Sequence, residues 1–181
     1  MVCYLVRHGK DDETVRGGWC DAQLCVEGIG QVKALSKNIE NLKIGRIYSS
    51  DLVRTRQTAE ILNEIFQVEI QYLPQFREVD NGLLAGMKND LALVRYPGLF
   101  WNTLGWEEEY PEGESPRDFF ERISHAWNMF KNDVKHLPYD VMLVTHGGVL
   151  NVIQCIENGK IYSNKENPFP VGYAQMIAIE I

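Results

Sequence analysis

The chain has 181 residues, 45% of them hydrophobic and 24% charged, with a formal net charge of −7. That length holds one domain with a full-sized core, and the balance excludes disordered and collagen-like classes. The acidic excess opposes non-specific nucleic-acid binding, which needs a basic face to release counterions.

Val2-Cys3-Tyr4-Leu5-Val6 is an apolar, β-prone run read as a buried strand, and Arg7-His8-Gly9 stands at its end. A polar loop over 7–26 leads to a helix predicted from Glu27 to Asn41, with Ile29, Val32, Leu35 and Ile39 on one stripe. Gly45 separates that helix from a short strand, Arg46 to Ser49. Ser50 or Asp51 is expected to cap the next helix, whose apolar side holds Leu52, Ala59, Leu62 and Phe66. A third strand is predicted from Val68 to Leu73, ended by Pro74.

Gln75 to Glu114 is irregular, with scattered glycines and prolines and the aromatics Tyr96, Phe100, Trp101, Trp106 and Tyr110. It is too apolar for a linker. The expectation is a single domain, 1–181, with an irregular cap or lid segment at about 82–115. Its aromatics either cap a pocket or pack into the core. Ser115-Pro116-Arg117-Asp118 then starts a long amphipathic helix ending near His136. His125 and His136 read as structural or exposed, and Glu107-Glu108-Glu109 as a solvated face.

Val141 to Val144 is a second buried strand, ended by Thr145-His146-Gly147. A helix is predicted from Gly148 to about Asn158, and a last strand from Ala174 to Ile179. This alternation specifies an α/β three-layer sandwich, a largely parallel central sheet with helices on both faces. Cys3, Cys20, Cys25 and Cys155 form no zinc spacing and read as reduced thiols. With neither a secretory leader nor a membrane-length apolar run, a cytoplasmic setting is expected.

Two strands that each end in His-Gly carry the chemistry. Ligands bind at the carboxyl ends of strands in open α/β sheets. Arg7 and Arg54 would repel a metal cation, whereas the planar fork of arginine suits phosphate oxygens. The reading is an anion site without a metal.

The order of motifs resembles the histidine phosphatase superfamily, in its phosphoglycerate-mutase-like branch. Leu5-Val6-Arg7-His8-Gly9, Gly18-Trp19-Cys20-Asp21 through Gly28, Tyr48-Ser49-Ser50-Asp51-Leu52-Val53-Arg54, Arg77-Glu78, Gly113-Glu114-Ser115 and Val144-Thr145-His146-Gly147-Gly148 carry the likeness. The resemblance implies that His8 is a nucleophile forming a phosphohistidine, its other ring nitrogen held by the Gly9 carbonyl. It implies that Arg7, Arg54 and His146 clamp the phosphoryl oxygens, helped by the Gly147 amide, and that Glu78 is the general acid and base. Lys10 stands where the family commonly has an acidic residue. Glu13-Thr14 stands where a Trp-Asn pair often contacts phosphate, and Thr14 is expected to supply that hydrogen bond.

The implied activity is metal-independent hydrolysis of a small cytoplasmic phosphomonoester, a phosphoric monoester hydrolase acting on a phosphorylated metabolite. No cofactor, nucleic acid or membrane enters it. A cofactor-dependent phosphoglycerate-type mutase is the alternative, disfavoured by the compact length, and a noncatalytic phosphate-binding module is a third reading.

Overall fold

The computed structural model describes residues 1–181. Its order is β1 (Val2–Arg7), α1 (Val26–Ile39), β2 (Ile44–Ser49), α2 (Val53–Phe66), β3 (Ile70–Tyr72), α3 (Asn89–Arg95), α4 (Pro116–Val134), β4 (Asp140–Thr145), α5 (Gly147–Glu157) and β5 (Met176–Glu180). The strands form one sheet in the order β3-β2-β4-β1-β5, in which β5 runs antiparallel to β1 and the other pairs are parallel.

Period-2 alternation sends successive residues of each central strand to opposite faces. Cys3, Leu5, Val141 and Leu143 meet Phe119, Ile123, Trp127 and Phe130 of α4 and Val149, Leu150 and Ile153 of α5. Val6, Met142 and Val144 meet Val32 and Ile39 of α1 and Ala59 and Leu62 of α2. Both faces of β1 and β4 are therefore covered, which is why those strands read as unbroken apolar runs. The expected α/β sandwich with a largely parallel sheet is the fold observed. No helix is long and apolar enough to cross a membrane.

The departures have physical causes. Gly45 lies inside β2, at a register shift between Ile44 and Arg46, because the ring of Tyr139 fills the space where its Cβ would stand, 2.2 Å away. β3 starts at Ile70 because Asn63 closes the preceding turn on Val68, bonding both its N–H and its carbonyl at 2.9 Å. Neither Ser50 nor Asp51 caps α2, whose N-cap is Leu52 without a side-chain bond. Ser50 is turned to His146 and Asp51 pairs with Arg77. α4 starts as expected, with Ser115 Oγ accepting from the Asp118 N–H at 3.1 Å, but stops at Val134.

The stretch from Gln75 to Glu114 holds α3 and short 3-10 turns at Pro74–Phe76, Gly82–Leu84 and Trp101–Thr103. It builds a small core of its own from Leu84, Leu104 and Tyr110.

Candidate active site

β1 and β4 are hydrogen-bonded neighbours in register, with Arg7 opposite Thr145. The two strand ends are therefore level, and the His8 N–H donates to the Thr145 carbonyl at 3.0 Å. This pairing sets the His8 and His146 rings side by side, centroids 5.2 Å apart. Residues 138 positions apart in sequence meet because parallel pairing leaves no other place for them.

His8 Nδ1 lies 2.7 Å from the Gly9 carbonyl. A carbonyl only accepts, so Nδ1 carries the proton and Nε2 the lone pair. Burial first, then Arg54 and Arg7, hold the imidazole well below its usual 6.5, against the pull of the Gly9 bond. His8 is thus neutral at neutral pH. His146 is likewise held low, by burial and then by Arg54 and His8. Its Nε2 sits 2.9 Å from Ser50 Oγ, while its Nδ1 is buried with no partner.

Arg54, 2% exposed, comes from the first turn of α2. It donates to the carbonyls of Gly18 at 2.7 Å and Cys20 at 3.0 Å, and its Nε lies 3.4 Å from Asp11 Oδ2. Burial outweighs Arg54 and holds the Asp11 carboxyl above its usual range. Arg7 donates from Nη1 to the Val171 carbonyl at 2.8 Å and lies over the Tyr173 ring, 4.0 Å from its centroid. The Nε atoms of Arg7 and Arg54 are buried without a hydrogen-bond partner. An unsatisfied buried donor costs about 1–3 kcal/mol, so several around one histidine make a pocket suited to an oxyanion.

Glu78 does not pair with the adjacent Arg77, which goes to Asp51. Its Oε2 accepts from the Gly148 N–H at 3.0 Å and its Oε1 from the Val79 N–H at 3.1 Å. Its carbonyl accepts from Trp19 Nε1 at 2.6 Å and Arg122 Nη2 at 3.1 Å. Residue 148 has to be glycine for this approach, since a Cβ there would sit 2.3 Å from Glu78 Oε1.

Two adjoining clefts share Arg7 and Glu78 as a wall. The smaller, about 320 Å3, is lined by His8, Arg54, Asp11, Asp12, Arg16 and Tyr173 among others. The larger, about 470 Å3, is lined by Trp101, Gly147, Asn151, Tyr162 and Asn164 among others, and holds neither histidine. Of the two, only the smaller is lined by His8.

Thr14, expected on the phosphate, is not brought to the histidines. It is exposed, and its N–H and hydroxyl both close on Asp12 Oδ1, at 2.9 and 2.6 Å, in a local turn. Gly147 opens α5 and lines the larger cleft against Arg7. Sequence reading missed Asp11, Arg16, Ser50 as the partner of His146, and Tyr173. Only the Arg16 charge beside two glycines was a usable signal. The aromatics divide. Trp101 packs on Phe119 and Tyr110 yet lines the larger cleft, whereas Trp106 packs on Phe120 and Tyr162 outside both. His125, His136 and Glu107–Glu109 are exposed, away from both clefts.

The profile of the histidine phosphatase superfamily (branch 1) matches residues 3–181. A Hydrogenobacter thermophilus relative, named provisionally as phosphoserine phosphatase 2, is 30% identical over 162 residues, covering 86% of this chain and 78% of its own. "Probable phosphoglycerate mutase GpmB" of Proteus mirabilis is 30% identical over 160 residues, covering 84% and 73%. The solved structure of Bacillus stearothermophilus YhfR superposes with a TM-score of 0.86 at 25% identity, over 99% of this chain and 91% of that one. The likeness runs through the whole fold. With it, the chain belongs to the histidine phosphatase superfamily, branch 1, as a phosphoric monoester hydrolase.

Proposed function

We propose that the protein hydrolyses a small phosphomonoester in two steps through a phosphohistidine on His8. The observation that carries this is a neutral, tautomer-fixed imidazole surrounded by buried guanidinium and imidazole nitrogens that make no hydrogen bond within the protein. In the first step His8 Nε2 attacks phosphorus and the ester P–O bond breaks. Glu78 gives its proton to the leaving oxygen. In the second, Glu78 takes a proton from water, the water oxygen attacks phosphorus, and the P–N bond breaks to release phosphate and neutral His8.

Arg7 and Arg54 meet the charge that spreads over the equatorial oxygens, already fixed by the carbonyls of Val171, Gly18 and Cys20. Ser50 donates its hydroxyl proton to His146 Nε2, which keeps the His146 proton on Nδ1 as a further donor. The Gly147 amide, at the start of α5, adds to the field there. Cationic arginines supply the charge stabilisation that a metal gives elsewhere, so the scheme calls for none. The substrate is a small phosphorylated metabolite, and four free cysteines support a reducing, cytoplasmic setting.

Purified protein offered a panel of phosphomonoesters is expected to release inorganic phosphate and to form an acid-labile phosphoenzyme. His8→Ala is expected to lose at least about 10^4-fold in kcat, with no phosphoenzyme trapped. Efficient conversion of 3- to 2-phosphoglycerate without phosphate release would overturn hydrolysis in favour of a mutase. Retained turnover in His8→Ala would overturn the nucleophile.

A further inference from the structure

We infer that Arg16 selects phosphomonoesters carrying a carboxylate on the leaving group, an inference that rests on the hydrolase reading above. Arg16 lines the cleft that holds His8, Arg7 and Arg54. Its Nε is buried without a hydrogen-bond partner. No carboxylate of the protein lies within ion-pair distance of it.

The acidic residues on the same wall are already engaged. Asp11 pairs with Arg54, Asp12 accepts from Thr14, and Glu13 meets Lys10 and the Tyr173 hydroxyl. Arg16 is therefore a cation that none of the wall's carboxylates holds. Its backbone is pinned, donating to the Met87 carbonyl at 2.8 Å and accepting from the Gly86 N–H at 2.9 Å. The Phe100 ring covers one face of the guanidinium, its centroid 4.5 Å from Cζ. What stays open is the edge of the fork, which pairs in plane with a carboxylate.

The cleft has room for such a group. Its volume of about 320 Å3 leaves space beyond the four heavy atoms of a transferred phosphoryl group. A second phosphate dianion would add more negative charge beside Asp12 and Glu13 than one carboxylate does. The single charge suits the wall better.

O-phosphoserine and O-phosphoethanolamine differ by one carboxylate and make the test. The wild-type protein is expected to favour O-phosphoserine about 10- to 100-fold in kcat/KM, the range of a charge-assisted hydrogen-bonded contact. Arg16→Met keeps the stem against Phe100, and is expected to lower kcat/KM for O-phosphoserine by that factor more than for O-phosphoethanolamine, so that the preference disappears. Arg16→Lys, which keeps charge without the fork, is expected to fall between. Equal losses on both esters would overturn the inference, placing Arg16 on the transferred phosphoryl group or in the fold. So would a wild-type enzyme that forms phosphohistidine from both esters with no preference. If neither ester yields phosphohistidine while other esters of the panel do, this inference fails and the hydrolase reading stands; if no ester does, both fail.

Discussion

The two clefts that share Arg7 and Glu78 are built in opposite ways. The smaller stands on paired strand ends and a helix start, and its three arginines each keep a buried Nε without a hydrogen bond. The larger is walled largely by the segments around Trp101 and Asn164, and two of its asparagine amides are already spent on the protein. Asn164 Nδ2 donates to the carbonyls of Trp101 at 2.7 Å and Leu104 at 3.0 Å, and Asn151 Nδ2 to that of Glu166 at 3.2 Å. Unspent donors on a rigid frame mark a place where charge is to be stabilised, whereas spent ones mark a wall. Size is no guide to the histidine here, since His8 lines the smaller cleft.

The comparison breaks most readily at Arg54. Arg54→Met removes a guanidinium from the oxyanion pocket and releases the carbonyls of Gly18 and Cys20, so kcat is expected to drop about 10^3-fold or more. Steady-state kinetics would show it, and a loss under tenfold would mean that the smaller cleft is not the phosphoryl site.

Stability should distinguish the clefts by pH. His8 and His146 are held below 6.5 in the native state, so below that pH the unfolded chain takes up two protons that the folded chain refuses. Stability is therefore full above about 6.5 and declines on acidification, by up to about 2.7 kcal/mol per pH unit for two sites. Urea titrations across pH 5.5–7.5 would measure the slope. His146→Gln is expected to halve it, and Trp101→Ala in the larger cleft to leave it alone. A slope indifferent to His146 would show that the pair is not buried neutral.

The shared wall gives the smallest effect. Gly148→Ala puts a methyl where Glu78 Oε1 now lies, and the carboxyl must swing off its two amides. A fall of about 10- to 100-fold in kcat is expected for esters with poor leaving groups, within the range general acid catalysis supplies. It should be smaller for p-nitrophenyl phosphate, whose leaving group needs less protonation. Equal falls on both would assign Gly148 to the fold instead of to Glu78.

Regular elements were legible because their signals are local. The apolar runs of β1 and β4, the stripe of α1 and the Ser115-Pro116 start of α4 each needed no distant partner. Boundaries slipped where a distant group intervened: Tyr139 at Gly45, and His146 on Ser50 in place of a helix cap. The pocket showed the same division. His8, His146, Arg7, Arg54 and Glu78 could be placed from motifs, but the loop between Gly9 and Gly18 could not. There Thr14 turned onto Asp12 and Arg16 entered the cleft, by geometry that no spacing rule encodes.

By itself, then, the amino-acid sequence determined which strands are buried and what stands at their ends. Periodicity and residue chemistry are properties of short stretches. Only the tertiary structure decided that Arg7 meets Thr145 in register, that Gly148 must be bare to admit Glu78, and that Arg16 keeps an unmatched charge. Each of those depends on a contact between segments far apart in the chain, where packing and desolvation are settled jointly by both partners.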